Sequence, residues 1–82
     1  MFVAVATVRL FASARQAAGT GRDVIEADDV AGVLAVARAR YGEPFEALLA
    51  SCRVWVNGEP ADPETPVSAA DEVAILPPVS GG

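Results

Sequence analysis

The 82-residue chain has no histidine, no lysine, one cysteine and only five aromatic residues. Each absence removes a class of chemistry. Without imidazole, Ser-His-Asp and Cys-His catalysis are excluded, as is every zinc site that needs a histidine ligand. The single Cys52 can form neither an internal disulfide nor a Cys-x-x-Cys motif. The six cations are all arginines, set against eleven acids, so the net charge is −5. No cationic stripe is available to neutralise phosphates, which makes nucleic acid and anionic membrane poor partners. The same sum makes a basic partner surface the expected complement. No apolar run approaches membrane-spanning length. Met1 to Val8 is apolar, and Ala12-Ser13-Ala14 imitates a signal-peptidase site. The run nevertheless lacks a preceding basic region, is broken by Arg9 and alternates as a strand does. A cytoplasmic chain is expected.

What is present is an apolar fraction of 52%, of which seventeen residues are alanine. That supports one modest core and no cavity for a large cofactor. Phe2 to Phe11 alternates: Phe2, Ala4, Ala6, Val8 and Leu10 form one apolar set, and Phe11 falls on the other face. Ala12 to Ala18 is a short helical turn that ends at Gly19-Thr20-Gly21. Those glycines lack the Lys-Ser/Thr ending of a phosphate loop and read as a plain turn. Arg22 to Ala27 is a second strand, paired with the first as a hairpin. Asp28 or Asp29 caps a helix whose apolar stripe is Val30, Val33, Leu34, Ala37 and Tyr41, with Gly42 as a left-handed cap. Capping accounts for the aspartate pair without a metal, and no metal site is expected. Phe45, Leu48 and Leu49 suggest a short helical turn under the sheet. Cys52, Val54 and Val56 point inward and Arg53 and Trp55 outward, ahead of a tight Asn57-Gly58 turn. Glu59 to Ser68 is proline-rich and mostly irregular, with room for one short edge strand. Asp71 to Leu76 is the last strand, with Ala74 and Leu76 facing away from Val73 and Ile75. The order predicts an α+β, ubiquitin-like β-grasp: a mixed sheet of four to five strands with one main helix on one face. The first and last strands are placed centrally.

The C-terminus carries the functional signal. Pro77-Pro78 ends ladder pairing and favours a stiff polyproline geometry. The domain is therefore expected over residues 1–78, with 79–82 as a flexible, reactive tail. Four extended residues span roughly 13–14 Å, enough to carry a carboxylate into a partner's pocket. Gly81 and Gly82, lacking Cβ atoms, suit a narrow channel. A carboxylate at neutral pH is inert until activated as an acyl-phosphate or acyl-adenylate. With no nucleotide loop in the chain, the ATP must be bound by another protein.

Three segments are specific: Leu10-Phe11-Ala12-Ser13-Ala14-Arg15, Val56-Asn57-Gly58-Glu59, and Asp71 to Gly82, which ends Leu76-Pro77-Pro78-Val79-Ser80-Gly81-Gly82. Through them the chain resembles the small, sulfur-carrying subunit of molybdopterin synthase, a ubiquitin-like family. One departure is Gln16, where many relatives carry glutamate. The resemblance implies that Gly82 is adenylated by an E1-like enzyme and converted to a thiocarboxylate, a 1-thioglycine, by a sulfurtransferase donor. The sulfur then goes to the precursor pterin in the large catalytic subunit, building the dithiolene that holds molybdenum. It implies a heterotetramer, with two small subunits flanking a large-subunit dimer. The chain would be a sulfur donor and not an enzyme alone, binding no cofactor itself while ATP serves the activating partner.

Phe11, Trp55 and Leu76 fall on the sheet face opposite the helix, where an exposed apolar patch marks a partner site. The family's contact positions match Phe11, Leu76 and Pro60, and Trp55 is added from its place on the strand. Arg15 is a candidate for pairing with a partner's acid, and Pro77 and Pro78 are candidate partner-binding residues. Cys52 is read as a small inward-facing residue and not a persulfide carrier. Other readings are a carrier of the same shape for thiamine thiazole synthesis, a ubiquitin-like modifier, and an interaction module with an inert tail. The missing lysine forbids self-linked chains by a modifier, though not its attachment to others.

Overall fold

In the computed structural model, which describes residues 5–78, two strands rich in valine and alanine run side by side and parallel at the centre of one sheet. These are β1 (Val5–Leu10) and β5 (Glu72–Leu76). Their inward side chains Ala6, Val8, Leu10, Val73 and Ile75 are buried, as period-two alternation requires. β2 (Arg22–Glu26) flanks β1 antiparallel. β3 (Arg53–Val56) flanks β5 antiparallel, and the two-residue β4 (Glu59–Pro60) completes the order β2-β1-β5-β3-β4. This is the expected β-grasp, with five strands and the first and last in the middle. Residues Phe2 to Ala4 of the expected first strand, and the whole 79–82 segment, lie outside the described residues.

Among the described residues three helices cover one face: α1 (Ala12–Ala18), α2 (Val30–Tyr41) and α3 (Glu43–Leu49). Asp29 is the cap of α2, its Oδ1 accepting from the Gly32 N–H at 2.7 Å. Val30, Val33 and Ala37 bury against the sheet together with Ile25 and Phe45, which is fully inaccessible. Gly19 closes α1 in the left-handed conformation, at φ 79° and ψ 8°. Gly42 departs from its expected role. Its φ of 89° is positive, but its ψ of −171° is extended, because α3 starts at once and the chain must turn sharply between two helices. Such a conformation is open essentially only to glycine. Asn57 and Gly58 both take positive φ, as a tight two-residue turn demands. The Asn57 side chain then grips the start of β5. Its Nδ2 donates to Asp71 at 2.8 Å and its Oδ1 accepts from the Glu72 N–H at 2.9 Å.

The outer edge of β2 is sealed by side chains. The Thr20 hydroxyl donates to the Arg22 carbonyl and accepts from the Arg22 N–H. The Val24 N–H donates to Asp23 Oδ1, and the Val24 carbonyl accepts from Arg40. Asp23 is held by two more donors, Arg40 Nη1 at 2.9 Å and the Tyr41 hydroxyl at 2.6 Å. These donors pull its carboxyl below the usual range, Tyr41 most strongly. Tyr41 itself, desolvated and bonded to a carboxylate, is pushed up to about 12. Its ring meets Phe45 edge-on at 5.1 Å.

Candidate functional site

The sheet face away from the helices is built by register. Arg22, Arg9, Ala74, Trp55 and Pro60 lie in one row across all five strands. Leu76 and Arg53 are paired in the next row. Phe11 continues β1 beside them, its N–H donating to the Ile75 carbonyl at 3.3 Å. Phe11, Leu76, Trp55 and Pro60 therefore share one surface, at the end where β5 runs into Pro77 and Pro78. Phe11 is 40% exposed, Trp55 and Leu76 are half-buried and Pro60 is exposed. The three exposed large hydrophobic residues among the described ones, Val5, Phe11 and Val24, all lie on this face. Of these, Phe11 lies at the same end as Leu76, and a contiguous apolar area is the mark of a docking surface.

Local backbone geometry sets the position of Phe11. The chain leaves β1 at Phe11 in an extended conformation and turns into α1 through Ala12, whose φ is 49°. The Phe11 carbonyl accepts from the Ala14 and Arg15 N–H groups, so the residue is anchored on both sides while its ring stays outward. The Arg9 guanidinium carbon sits 5.9 Å from that ring's centroid, within cation–π range.

Arg15 does not join the patch directly. It lies on α1 in a shallow depression with Gln16, Thr20 and Gly21, its guanidinium stem packed over Gly21. Pro77 is half-buried and Pro78 exposed, where β5 ends. The structure does not bear on Gly81 and Gly82, which lie outside the described residues.

Cys52 precedes β3 beside a groove of about 350 Å³ that includes Leu34, Leu49 and Trp55 in its walls. Its Sγ–H donates to the Leu48 carbonyl at 3.4 Å, and burial pushes the thiol up from its ordinary range. A thiol held protonated is a poor nucleophile, in line with the structural reading of this residue. Asp29, likewise, is engaged as a helix cap.

The distribution of charge was not visible in the composition. Arg9, Arg22 and Arg53 occupy the open face, against Glu26 and Glu72. This face thus carries +1, while the remainder of the chain carries −6. The two ion pairs among the described residues are Arg40 with Asp23 at 2.9 Å and Arg9 with Glu72 at 3.6 Å. The total charge, from which a basic partner was expected, is therefore not the charge of the face that carries the apolar patch.

The profile of the ThiS family matches residues 8–82, nearly the whole chain and including its glycine end. The chain belongs to the ThiS family. No curated protein matches it significantly by sequence. Among solved structures, this ThiS-family chain is similar to small archaeal modifier protein 1 from Methanosarcina acetivorans. The two share 29% identity over 100% of both chains, with a TM-score of 0.87. The crystal structure of modifier protein 1 from Haloferax volcanii is 27% identical, covering 95% of this chain and 99% of that one, with a TM-score of 0.79. The complex of subunits 1 and 2 of the molybdopterin-converting factor from Helicobacter pylori contains a chain 26% identical. It covers 95% of this chain and 99% of that one, with a TM-score of 0.74. The fold is ubiquitin-like, and the chain is a carrier-type β-grasp protein of the kind that includes subunit 1 of that factor.

Proposed function

We propose that this protein is the sulfur-carrying small subunit of a molybdopterin synthase. The observation that carries the reading is the convergence of Phe11, Leu76, Trp55 and Pro60 on one open face, at the end of β5 from which the Gly-Gly segment departs. Support comes from the ThiS-family match and from similarity to subunit 1 of the Helicobacter pylori factor, which was solved together with its subunit 2. In this reading the patch docks onto the large subunit, and Gly81 and Gly82 extend into that subunit's pocket.

The chemistry needs no side chain of this protein. The Gly82 carboxylate attacks the α-phosphorus of ATP on an adenylating E1-like enzyme, and pyrophosphate leaves. The outer sulfur of a sulfurtransferase persulfide then attacks the acyl carbon, AMP leaves, and a thiol reductant cleaves the resulting acyl disulfide to release the thiocarboxylate. An ionised thiocarboxylate is a strong nucleophile, and its sulfur adds to an electrophilic carbon of the precursor pterin held by the large subunit, from which the oxygen substituent leaves. Hydrolysis of the acyl–sulfur bond leaves the sulfur on the pterin and regenerates the carboxylate. Each charged tail delivers one sulfur, so two complete the dithiolene, as a heterotetramer with two small subunits would allow. Acids and bases for these steps come from the large subunit, consistent with a chain that has no histidine. The process belongs in the cytoplasm.

The test is an intact mass taken after incubation with the adenylating enzyme, ATP and a sulfur donor. A carrier gains the mass of one oxygen replaced by sulfur, and then loses it on adding large subunit and pterin precursor. Sulfur that passes instead to a thiazole would assign the protein to thiamine synthesis. A second reading is favoured by the 29% identity to an archaeal modifier protein. In that case the activated Gly82 is linked to a lysine of another protein, visible after tryptic digestion as the Val54–Gly82 peptide attached to that lysine, because Arg53 is the last cleavage site in the chain.

A further inference from the structure

The open face carries a pattern that the apolar patch does not explain. Arg9 and Arg22 stand directly opposite each other on β1 and β2. The Leu10 N–H donates to Gly21, so the alternation of the ladder makes Arg9 and Arg22 a non-hydrogen-bonded pair, in which side chains come closest. Like charges in that position destabilise a sheet. Little among the described residues relieves them. Arg9 reaches Glu72 only at 3.6 Å, and its Nε is buried without a hydrogen-bond partner. Arg22 and Arg53 make no ion pair among the described residues. Arg53 sits beside Leu76, on the other side of the patch from the Arg9–Arg22 pair. Along the strands the charges are ordered. Glu26 and Glu72 lie toward the start of β1, while the three arginines lie toward the end where β5 finishes. Half of the cations in a strongly acidic chain are thus gathered around the apolar patch, toward the end where β5 runs into Pro77 and Pro78.

Resting on the docking reading given above, we propose that Arg9, Arg22 and Arg53 are a recognition rim whose counterpart on the large subunit is acidic. The partner surface then has an apolar centre that receives Phe11, Leu76 and Trp55. Carboxylates border it, placed to pair with Arg22 and Arg9 on one side and with Arg53 on the other. Arginine suits this role because its planar fork binds a carboxylate in two-point fashion. Rim charges act chiefly on encounter and orientation. They turn the acidic small subunit so that its cationic end, and with it the glycine end, meets the partner first. The acids on the helical side are left facing away.

The experiment measures affinity and association rate for the large subunit of the same organism at low and at high sodium chloride. The variants are Arg22→Glu, Arg53→Glu, Leu76→Asp and, on the helical side, Arg38→Glu. Arg53→Gln separates loss of charge from its reversal. At low salt, each reversal on the open face is expected to weaken binding on the order of tenfold, mostly through slower association, with the difference shrinking at high salt. Arg53→Gln should fall between wild type and Arg53→Glu, and Arg38→Glu should stay within about twofold of wild type. If Leu76→Asp abolishes binding while Arg22→Glu and Arg53→Glu leave it unchanged or tighten it, the acidic rim is wrong and docking through the patch stands. If Leu76→Asp binds as wild type does, docking through the patch fails, and the rim proposal fails with it.

Discussion

Replacing Phe11 with alanine tests the docking surface at the residue where the structure best limits the answer. The ring is 40% exposed, so its remaining contact with water is what a partner can remove. Burying a whole phenylalanine side chain is worth about 1.5–3 kcal/mol. Two-fifths of that is about 1 kcal/mol, or roughly a fivefold weaker Kd. The fold should hardly respond, because the Phe11 backbone keeps its bonds to Ile75, Ala14 and Arg15. The cation–π contact from Arg9 is worth only about 0.5–1 kcal/mol at an exposed site. Leu76→Asp is the harsher companion. It leaves an unpaired carboxylate against an apolar surface, at a cost of several kcal/mol, and should weaken binding by more than about a hundredfold. Both are read by calorimetric titration of the large subunit, with thermal melts of each variant alone as the folding control. A Phe11→Ala protein that melts like wild type and binds equally well would refute the argument, since no contact would then be using the ring.

Extending the chain by one residue beyond Gly82 should leave the melting temperature unchanged and abolish sulfur transfer, scored by dithiolene formed per turnover. Dithiolene made without trimming would remove Gly82 from its role. Asp29→Ala should cost about 1 kcal/mol by orphaning the Gly32 N–H, a fall of about 4–8 °C in Tm, with affinity for the large subunit intact. Stability should be nearly flat between about pH 5 and 8, because no histidine titrates there. Asp23 and Asp71 both have carboxyls held below their ordinary values, so their contribution is complete above the unfolded carboxylate range and is lost as pH falls through the folded values. At the alkaline end, the Tyr41 contribution is present below pH 10 and lost as pH rises through about 12. Asp23→Asn should flatten the acid limb of a denaturant midpoint–pH profile, and an unchanged limb would show that other carboxylates dominate it.

Alternation was sufficient to orient β1, β3 and β5, because an error of one residue would have placed Val8, Ile75 and Val54 in water. That periodicity alone puts Phe11, Trp55 and Leu76 on one face, and the Asn57-Gly58 and Asp29 signals are equally local. Contacts between distant segments were not legible. Asp23 meets Arg40 and Tyr41 seventeen and eighteen residues away; the only hint was a polar tip on the apolar stripe of α2. Gly42 looked like an ordinary helix end because the helical turn expected at Phe45 to Leu49 does not reveal that α3 starts at Glu43, with no linker to absorb the change of direction. The charge of the docking face was hidden for a different reason. A total of −5 is a property of the list of residues, and only strand register shows that three of the six arginines share a face with two acids.

The sealed margin of β2 has a consequence for a protein that must visit several enzymes in turn. Backbone amides left bare along a sheet invite a neighbour to zip on, and such a union lengthens residue by residue and comes apart slowly. With Thr20, Asp23 and Arg40 occupying the backbone groups of Arg22 and Val24, visitors at this margin must grip side chains. Attachments of that sort can be broken in one motion, leaving the molecule free to reload between deliveries.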